Sequence, residues 1–465
     1  MKSFYTLIAI LSMASTMLPI HASAQQKEVS GVYVGGHIRR ERPKTISTLR
    51  ESGFTYVILF NVHVEADGTL TTDGETICKD GVYVFDKQQP YYQQDIANLK
   101  TEPTSISRID ICIGGWGNTS YSNIKKLVET SGTGTGSILY RNFKALKEAV
   151  PEIDGVNNDD EHCYDLTTGA RFHVMMYDLG YKTTLAPYMN KSYWQGLCNK
   201  IRASRPKAVD RVMIQCYDGG AGNNPSSWTF TGVSNRHAGR TNYQTNMETS
   251  IEQMQQWQES KGAVGGFVWV YNDETWNLNA WAAAMNRVFK AVEVPEDEVV
   301  VRCYSQVGYK GYCVGLPVGT YGKGDLAVYG LQGGDMESLE MVKEGYKVKL
   351  YRNPKCSGAF RPYTTSATRL PSTYLNYVNA ISIEQIETGV DGVDGVDADD
   401  PDIRVEGDLL LVDNARGEQI YIYSTTGRIS MSKTADSNAV SVPMDRLPKG
   451  IYVVKVGERS LKVTR

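Results

Sequence analysis

From residue 29 to 292 the chain repeats one alternation, a short apolar run followed by a stretch of helical periodicity. The apolar runs predict strands at 31–35, 56–64, 109–114, 155–161, 183–189, 212–217, 228–233 and 266–271, eight in all. Helical periodicity is clearest at 124–128, 143–149, 193–203, 248–260 and 278–291. Strands alternating with helices over about 250 residues predict an α/β fold, a parallel (β/α)8 TIM barrel, with its chemistry at the carboxyl ends of the strands. Segment 65–92 is long for a strand-to-helix connection. Its Asp67-Gly68 and Asp80-Gly81 pairs lie between β-like runs and predict a hairpin, expected over the barrel mouth.

The fourth strand ends in Asp154-Gly155-Val156-Asn157-Asn158-Asp159-Asp160-Glu161. A strand sends alternate side chains to one face, so Asn157, Asp159 and Glu161 are expected to point the same way. Two carboxyls and a carboxamide make a poor core, because each needs a partner once desolvated. They suit acid chemistry, with Glu161 held protonated by burial and by the charge of Asp159, as a general acid requires. An Asx-rich turn or a calcium loop is the plainer alternative for these eight residues.

The octapeptide resembles the strand-four signature of glycoside hydrolase family 18, Asp-Gly-x-Asp-x-Asp-x-Glu. Asp154, Gly155, Asp159 and Glu161 match it, and Asn157 departs. Asp160, where chitinases commonly carry an aromatic residue, is more similar to the endo-β-N-acetylglucosaminidase branch. Ile111-Cys112-Ile113-Gly114-Gly115-Trp116 resembles the family's strand-three Ser-x-Gly-Gly motif, with Cys112 in the serine position. Met213-Ile214-Gln215-Cys216-Tyr217-Asp218 resembles strand six, and Gly265-Gly266-Phe267-Val268-Trp269 resembles strand eight. A core aromatic and a satisfied buried hydroxyl are the structural readings of Trp269 and Tyr217. Four motifs in order favour the functional one.

The resemblance implies cleavage of a β-1,4 bond following N-acetylglucosamine, in the core of N-glycans or, next, in chitin-like polymer. It makes Glu161 the proton donor, Asp159 the group that orients the substrate acetamide and Tyr217 a hydrogen-bond donor to it. Gly114, Gly115, Trp116, Gln215, Asp218 and Trp269 would line the sugar subsites. No metal and no cofactor are implied. In the family, the residue at position 157 is usually an aspartate sharing a proton with its neighbour, so Asn157 predicts weaker activity or a shifted pH optimum. A carbohydrate-binding surface protein that keeps the groove without efficient turnover is the alternative.

At 465 residues the chain exceeds one ordinary core, and its net charge of −3 with no basic patch gives no support for nucleic-acid binding. Lys2, the apolar run 4–20 and Ala22-Ser23-Ala24 form a secretory signal pattern over 1–24. No other apolar run is long enough to span a bilayer. The eight cysteines are sparse for an exported chain and show no zinc-type spacing, so they are read as mostly structural, with Cys112 and Cys216 inside apolar strands. The barrel is assigned to 25–292 and the chain is expected to act as a monomer.

Past an acidic, Pro-containing linker, Tyr304-x4-Tyr309-x-Gly311 recurs 47 residues later as Tyr351-x4-Cys356-x-Gly358. Repeated β-units of this size predict a two-motif sandwich. The pattern resembles the βγ-crystallin Greek key over 299–386. Too few oxygen ligands remain around Asp335-Met336-Glu337-Ser338 and Asn379-Ala380-Ile381-Ser382 for calcium. Residues 390–402, with six Asp, predict a flexible linker, assigned to 387–402. Strands at 409–412, 419–423, 439–442 and 451–456 predict a small β-sandwich over 403–465. Its Ile422–Arg428 and Leu447–Val456 stretches resemble a type IX secretion C-terminal sorting domain, which implies export machinery as a partner and a secreted or surface location. Tyr421 and Tyr423 are expected to form a core stripe of that sandwich.

Overall fold

The computed structural model describes residues 26–233, 235–241, 246–272, 276–386, 401–406, 408–424, 428–456 and 459–465. The expected signal 1–24 lies outside these residues, as does all but the last two positions of the 387–402 linker. The chain divides into two compact units, Met1–Ile386 and Glu387–Arg465.

In the first unit eight parallel strands close into a barrel: β1 Ser30–Val34, β2 Tyr56–Val64, β3 Arg108–Gly114, β4 Gly155–Asp159, β5 Lys182–Leu185, β6 Val209–Ile214, β7 Asn235–Thr241 and β8 Gly266–Tyr271. Each pairs with its sequence neighbours, and β1 pairs with both β2 and β8, so no edge remains. Strands buried on both faces read as continuous apolar runs, which is why β2 and β8 follow the sequence pattern to the residue.

The seventh strand is the exception. Trp228–Val233 is not a strand: Trp228 and Phe230 stack 6.4 Å apart, buried in the connection that follows β6. The strand is the polar run Asn235–Thr241. His237 is fully buried with Nε2 3.2 Å from the Glu28 carbonyl, and a Cβ on Gly239 would lie 2.0 Å from the Phe267 ring. Polar side chains packed among the strands replace the hydrophobic signal there.

Segment 65–92 forms short strands Leu70–Thr72, Glu75–Lys79 and Val82–Tyr83, which extend β2 antiparallel. Asp80 and Gly81 take positive φ, 54° and 82°, as a two-residue hairpin turn demands. Asn142, on helix Ile138–Ala149, bonds the Gly68 carbonyl and the Gly81 N–H and ties the hairpin to that helix, and none of residues 65–92 lines the cavity described below.

At the amino ends of the strands the interior is ionic. Arg108 donates to both oxygens of Asp110 and to Asp210, and Thr184 also donates to Asp110. Each buried charge is paired.

Residues 299–386 form two antiparallel sheets, with strands Val301–Gln306, Lys310–Leu316 and Ser338–Met341 in one and Gly319–Tyr321, Tyr346–Tyr351, Phe360–Tyr363 and Ala380–Gln385 in the other. Gly319–Tyr321 leaves its own motif to pair with Ala380–Gln385, and Ala367 crosses back to Leu339. That exchange makes it a Greek-key sandwich with a separate core. Tyr309 and Cys356, each two residues before a glycine of positive φ, also have positive φ, which is the backbone basis of the repeat. Asp335 and Glu337 accept from Tyr312, Val307 and Asn376. Helix Leu278–Phe289 joins this sandwich to the barrel. Asn286 donates to the Gly53 and Ala327 carbonyls, and the Arg287 guanidinium lies 3.7 Å from the Tyr312 ring centroid.

The second unit is a β-sandwich of a three-stranded and a four-stranded sheet around Leu410, Val412, Ile420, Ile422 and Val454. Tyr421 and Tyr423 are not in that core. Ile420 and Ile422 take the inward positions, and the alternation puts both tyrosines on the outer face, their rings 6.0 Å apart. All eight cysteines are free thiols.

Candidate active site

The carboxyl end of β4 carries the acids. Its pleat sends Val156 into the shell beneath the helices and Asn158 to His173 Nε2 at 2.8 Å, while Asn157 and Asp159 point into the barrel. Two residues past Asp159, beyond the strand, Glu161 returns to the same side. A cavity of about 620 Å3 opens there. Of the residues singled out in the sequence, Glu161, Asp159, Tyr217, Gln215, Asp218, Trp269, Gly115 and Trp116 line it.

Asp159 accepts from Gln215 Nε2 at 2.8 Å, and the second Gln215 N–H is spent on the Ala186 carbonyl at 2.9 Å. Burial holds the Asp159 carboxyl well above the usual range, the Glu161 charge adds to this, and the Gln215 bond opposes it. Glu161 is half-buried and pushed up to about 7, first by burial and then by Asp160 and Asp218. The expected contribution of Asp159 is therefore replaced by that of its other acidic neighbours, Asp160 and Asp218. Tyr217 is buried, and desolvation followed by the Asp159 charge keeps its hydroxyl protonated.

Asn157 and Gly114 do not line the cavity. Asn157 lies beneath it, accepting from the Tyr33 hydroxyl at 3.0 Å and donating toward Met213 Sδ at 3.6 Å. The hydrogen bond that Asp159 accepts comes from Gln215 instead. Gly114 acts through its backbone, since a Cβ there would come 2.1 Å from the Asp159 carbonyl. That contact lets Gly115 N–H reach the same carbonyl at 2.8 Å, at φ values of 112° and 100° that glycine alone adopts easily. Cys112, in the serine position, is fully buried below the acids and its thiol is pushed up by burial.

Trp269 forms part of the floor, set edge-on against Phe60 at 4.6 Å and Tyr33 at 5.2 Å. Trp116, 89% exposed, stands at the rim. Phe60, Tyr188 and Gly219 also line the cavity, and the motifs did not point to them. For Phe60 and Tyr188 the available signal was an aromatic residue near the carboxyl end of a barrel strand.

A deep acid pair beside a phenol, on an aromatic floor at the carboxyl end of a (β/α)8 barrel, forms a candidate active site on a TIM-like barrel followed by small all-β domains. No family model matches the sequence, and no curated protein matches it. Among solved structures, a βγ-crystallin domain from Flavobacterium johnsoniae is similar at 27% identity, covering 19% of this chain and 98% of that one, with a TM-score of 0.19. A βγ-crystallin domain from Clostridium beijerinckii is 25% identical over 18% of this chain and 95% of its own, at a TM-score of 0.18. Among the described residues no group of three or more His, Cys, Asp or Glu side chains is placed to hold a metal, and no helix is long and apolar enough to cross a membrane.

Proposed function

We propose that this protein is a secreted or surface glycosidase of the family 18 kind, cleaving the β-1,4 bond that follows N-acetylglucosamine, with N-glycan cores favoured over chitin-like polymer. The observation that carries the reading is the pairing of Glu161, with its carboxyl near 7, and a buried Asp159, its carboxyl held well above the usual range, in one cavity floored by Trp269. A carboxyl that titrates near neutrality is matched to donating and then recovering a proton.

Glu161 gives its proton to the glycosidic oxygen as the bond to the anomeric carbon breaks. The substrate's own acetamido oxygen forms the new bond to that carbon, giving an oxazolinium-like intermediate. This substrate assistance departs from the two-carboxylate scheme. Asp159, held in place by Gln215, accepts from the acetamide N–H, and Tyr217 donates to the acetamide oxygen. Glu161, now a carboxylate, takes a proton from water as that water attacks, and configuration is retained. Asn157 cannot hold a shared proton, and its amide is committed to Tyr33 and Met213. Asp159 therefore works without the usual acidic partner.

The test is incubation with a high-mannose glycoprotein and, separately, with chitin oligomers, read by mass spectrometry. Release of glycans bearing a single reducing N-acetylglucosamine supports the reading. Retention of sugar without cleavage in either arm would make the protein a carbohydrate-binding one. The C-terminal sandwich is proposed as the export signal, on its resemblance to type IX sorting domains.

A further inference from the structure

We propose that Asp160 is the positioning residue of the acid, a role that rests on the glycosidase reading: its carboxylate gathers the loop after β4 and thereby sets both the place and the electrostatic surroundings of Glu161. Asp160 is 2% exposed and touches none of the cavity. One of its oxygens accepts from the backbone N–H of His162 at 3.2 Å and of Cys163 at 2.8 Å. The other accepts from Tyr164 N–H at 2.8 Å and from the Tyr193 hydroxyl at 3.2 Å. Its own N–H bonds to Asn158 Oδ1 at 3.0 Å, so the loop is anchored to the outward face of β4 as well.

Four donors thus converge on one buried carboxylate and fix its orientation. Glu161, the residue between Asp160 and the three amides, is thus carried on a closed ring whose centre is a fixed negative charge. The same loop reaches across the rim, where His162 Nε2 accepts from Gly117 N–H at 2.9 Å. The other titratable groups acting with Glu161 are Asp159, Asp218, Tyr217, Tyr164 and Cys112. All are acids or neutral donors, so none offsets the charge of Asp160.

The test reads Glu161 directly, in the full chain and without substrate: 13C-glutamate labelling, with the Glu161 resonance assigned by its loss in Glu161→Gln, followed across pH. Asp160→Asn removes the charge and should lower the Glu161 midpoint by roughly one unit. Tyr193→Phe keeps the ring and the carboxylate but removes one donor, so the midpoint should rise. Opposite shifts support the proposal, since loosening of a purely structural anchor would lower the midpoint in both variants. An unmoved midpoint in folded Asp160→Asn overturns it. If Asp160→Asn does not fold, an unmoved midpoint in Tyr193→Phe overturns it instead. Because no turnover enters this readout, absence of glycosidase activity would sink the functional reading while leaving the titration to judge Asp160 by itself.

Discussion

Glu161 is the residue on which most depends. Glu161→Gln should lower turnover by about 10²–10⁴-fold, the usual contribution of general acid–base catalysis, while leaving sugar binding in place. Unchanged turnover would remove Glu161 from the mechanism. The same variant has a stability signature. The folded carboxyl titrates at about 7 against an ordinary 4.5, so between those values the folded chain binds more protons than the unfolded one. Stability from this group therefore falls as pH rises through that window, and Glu161→Gln should match the parent's Tm at pH 4 and exceed it at pH 8. The gain should be modest because the side chain is half exposed. Asn157→Asp places a second carboxyl beside Asp159, beneath the cavity, where two like charges cannot both ionise cheaply, so the pH–rate profile should move. A profile overlaying the parent's would put position 157 outside the titrating network. At this scale the sequence was a good guide to which side chains gather, because period-two alternation alone predicts that Asn157, Asp159 and Glu161 share a face. It could not show that Asn157 is taken by Tyr33, or that Asp160 holds the loop, since both follow from contacts between residues far apart in the chain.

At the level of elements, legibility followed the hydrophobic signal. β2 and β8 were readable as apolar runs, whereas β7 was hidden by His237, Arg236 and Arg240, whose hydrogen bonds go to the carbonyls of Glu28, Trp228 and Cys216, far from them in sequence or outside any apolar pattern. The apolar run beside it, Trp228–Val233, drew the assignment because burial in a loop and burial in a strand leave the same composition. The hairpin of segment 65–92 was legible from its Asp-Gly turns, but its location was not, since that depends on Asn142. Helix Leu278–Phe289 carries the prediction proper to this scale. Asn286→Ala leaves the Gly53 and Ala327 carbonyls unpaired where the barrel meets the Greek-key sandwich, and should cost about 2 kcal/mol, seen as a lower Tm. An unchanged Tm would mean that water reaches both carbonyls and that this junction is not held by Asn286.

For the whole molecule the boundaries matter more than the repeats. The Greek-key sandwich has its own core, yet shares Asn279, Asn286 and Arg287 with the barrel, so residues 299–386 are part of the barrel's unit rather than a loose attachment. The C-terminal sandwich differs, with a separate core in a separate unit. A chain ending at Ile386 should therefore fold, keep the barrel's thermal transition and hydrolyse substrate at the full-length rate, since a unit with its own core contributes few buried contacts to the one before it. A chain ending at residue 292 should melt earlier, because Asn286 and Arg287 lose the carbonyls and the ring they now meet. What the Ile386 truncation should lose is delivery outside the cell in a host with the cognate export machinery. Normal export of that truncated chain would count against the sorting role. Lost activity in its purified form would assign the C-terminal sandwich to catalysis or folding instead, and its outward pair Tyr421 and Tyr423 would be the first residues to change.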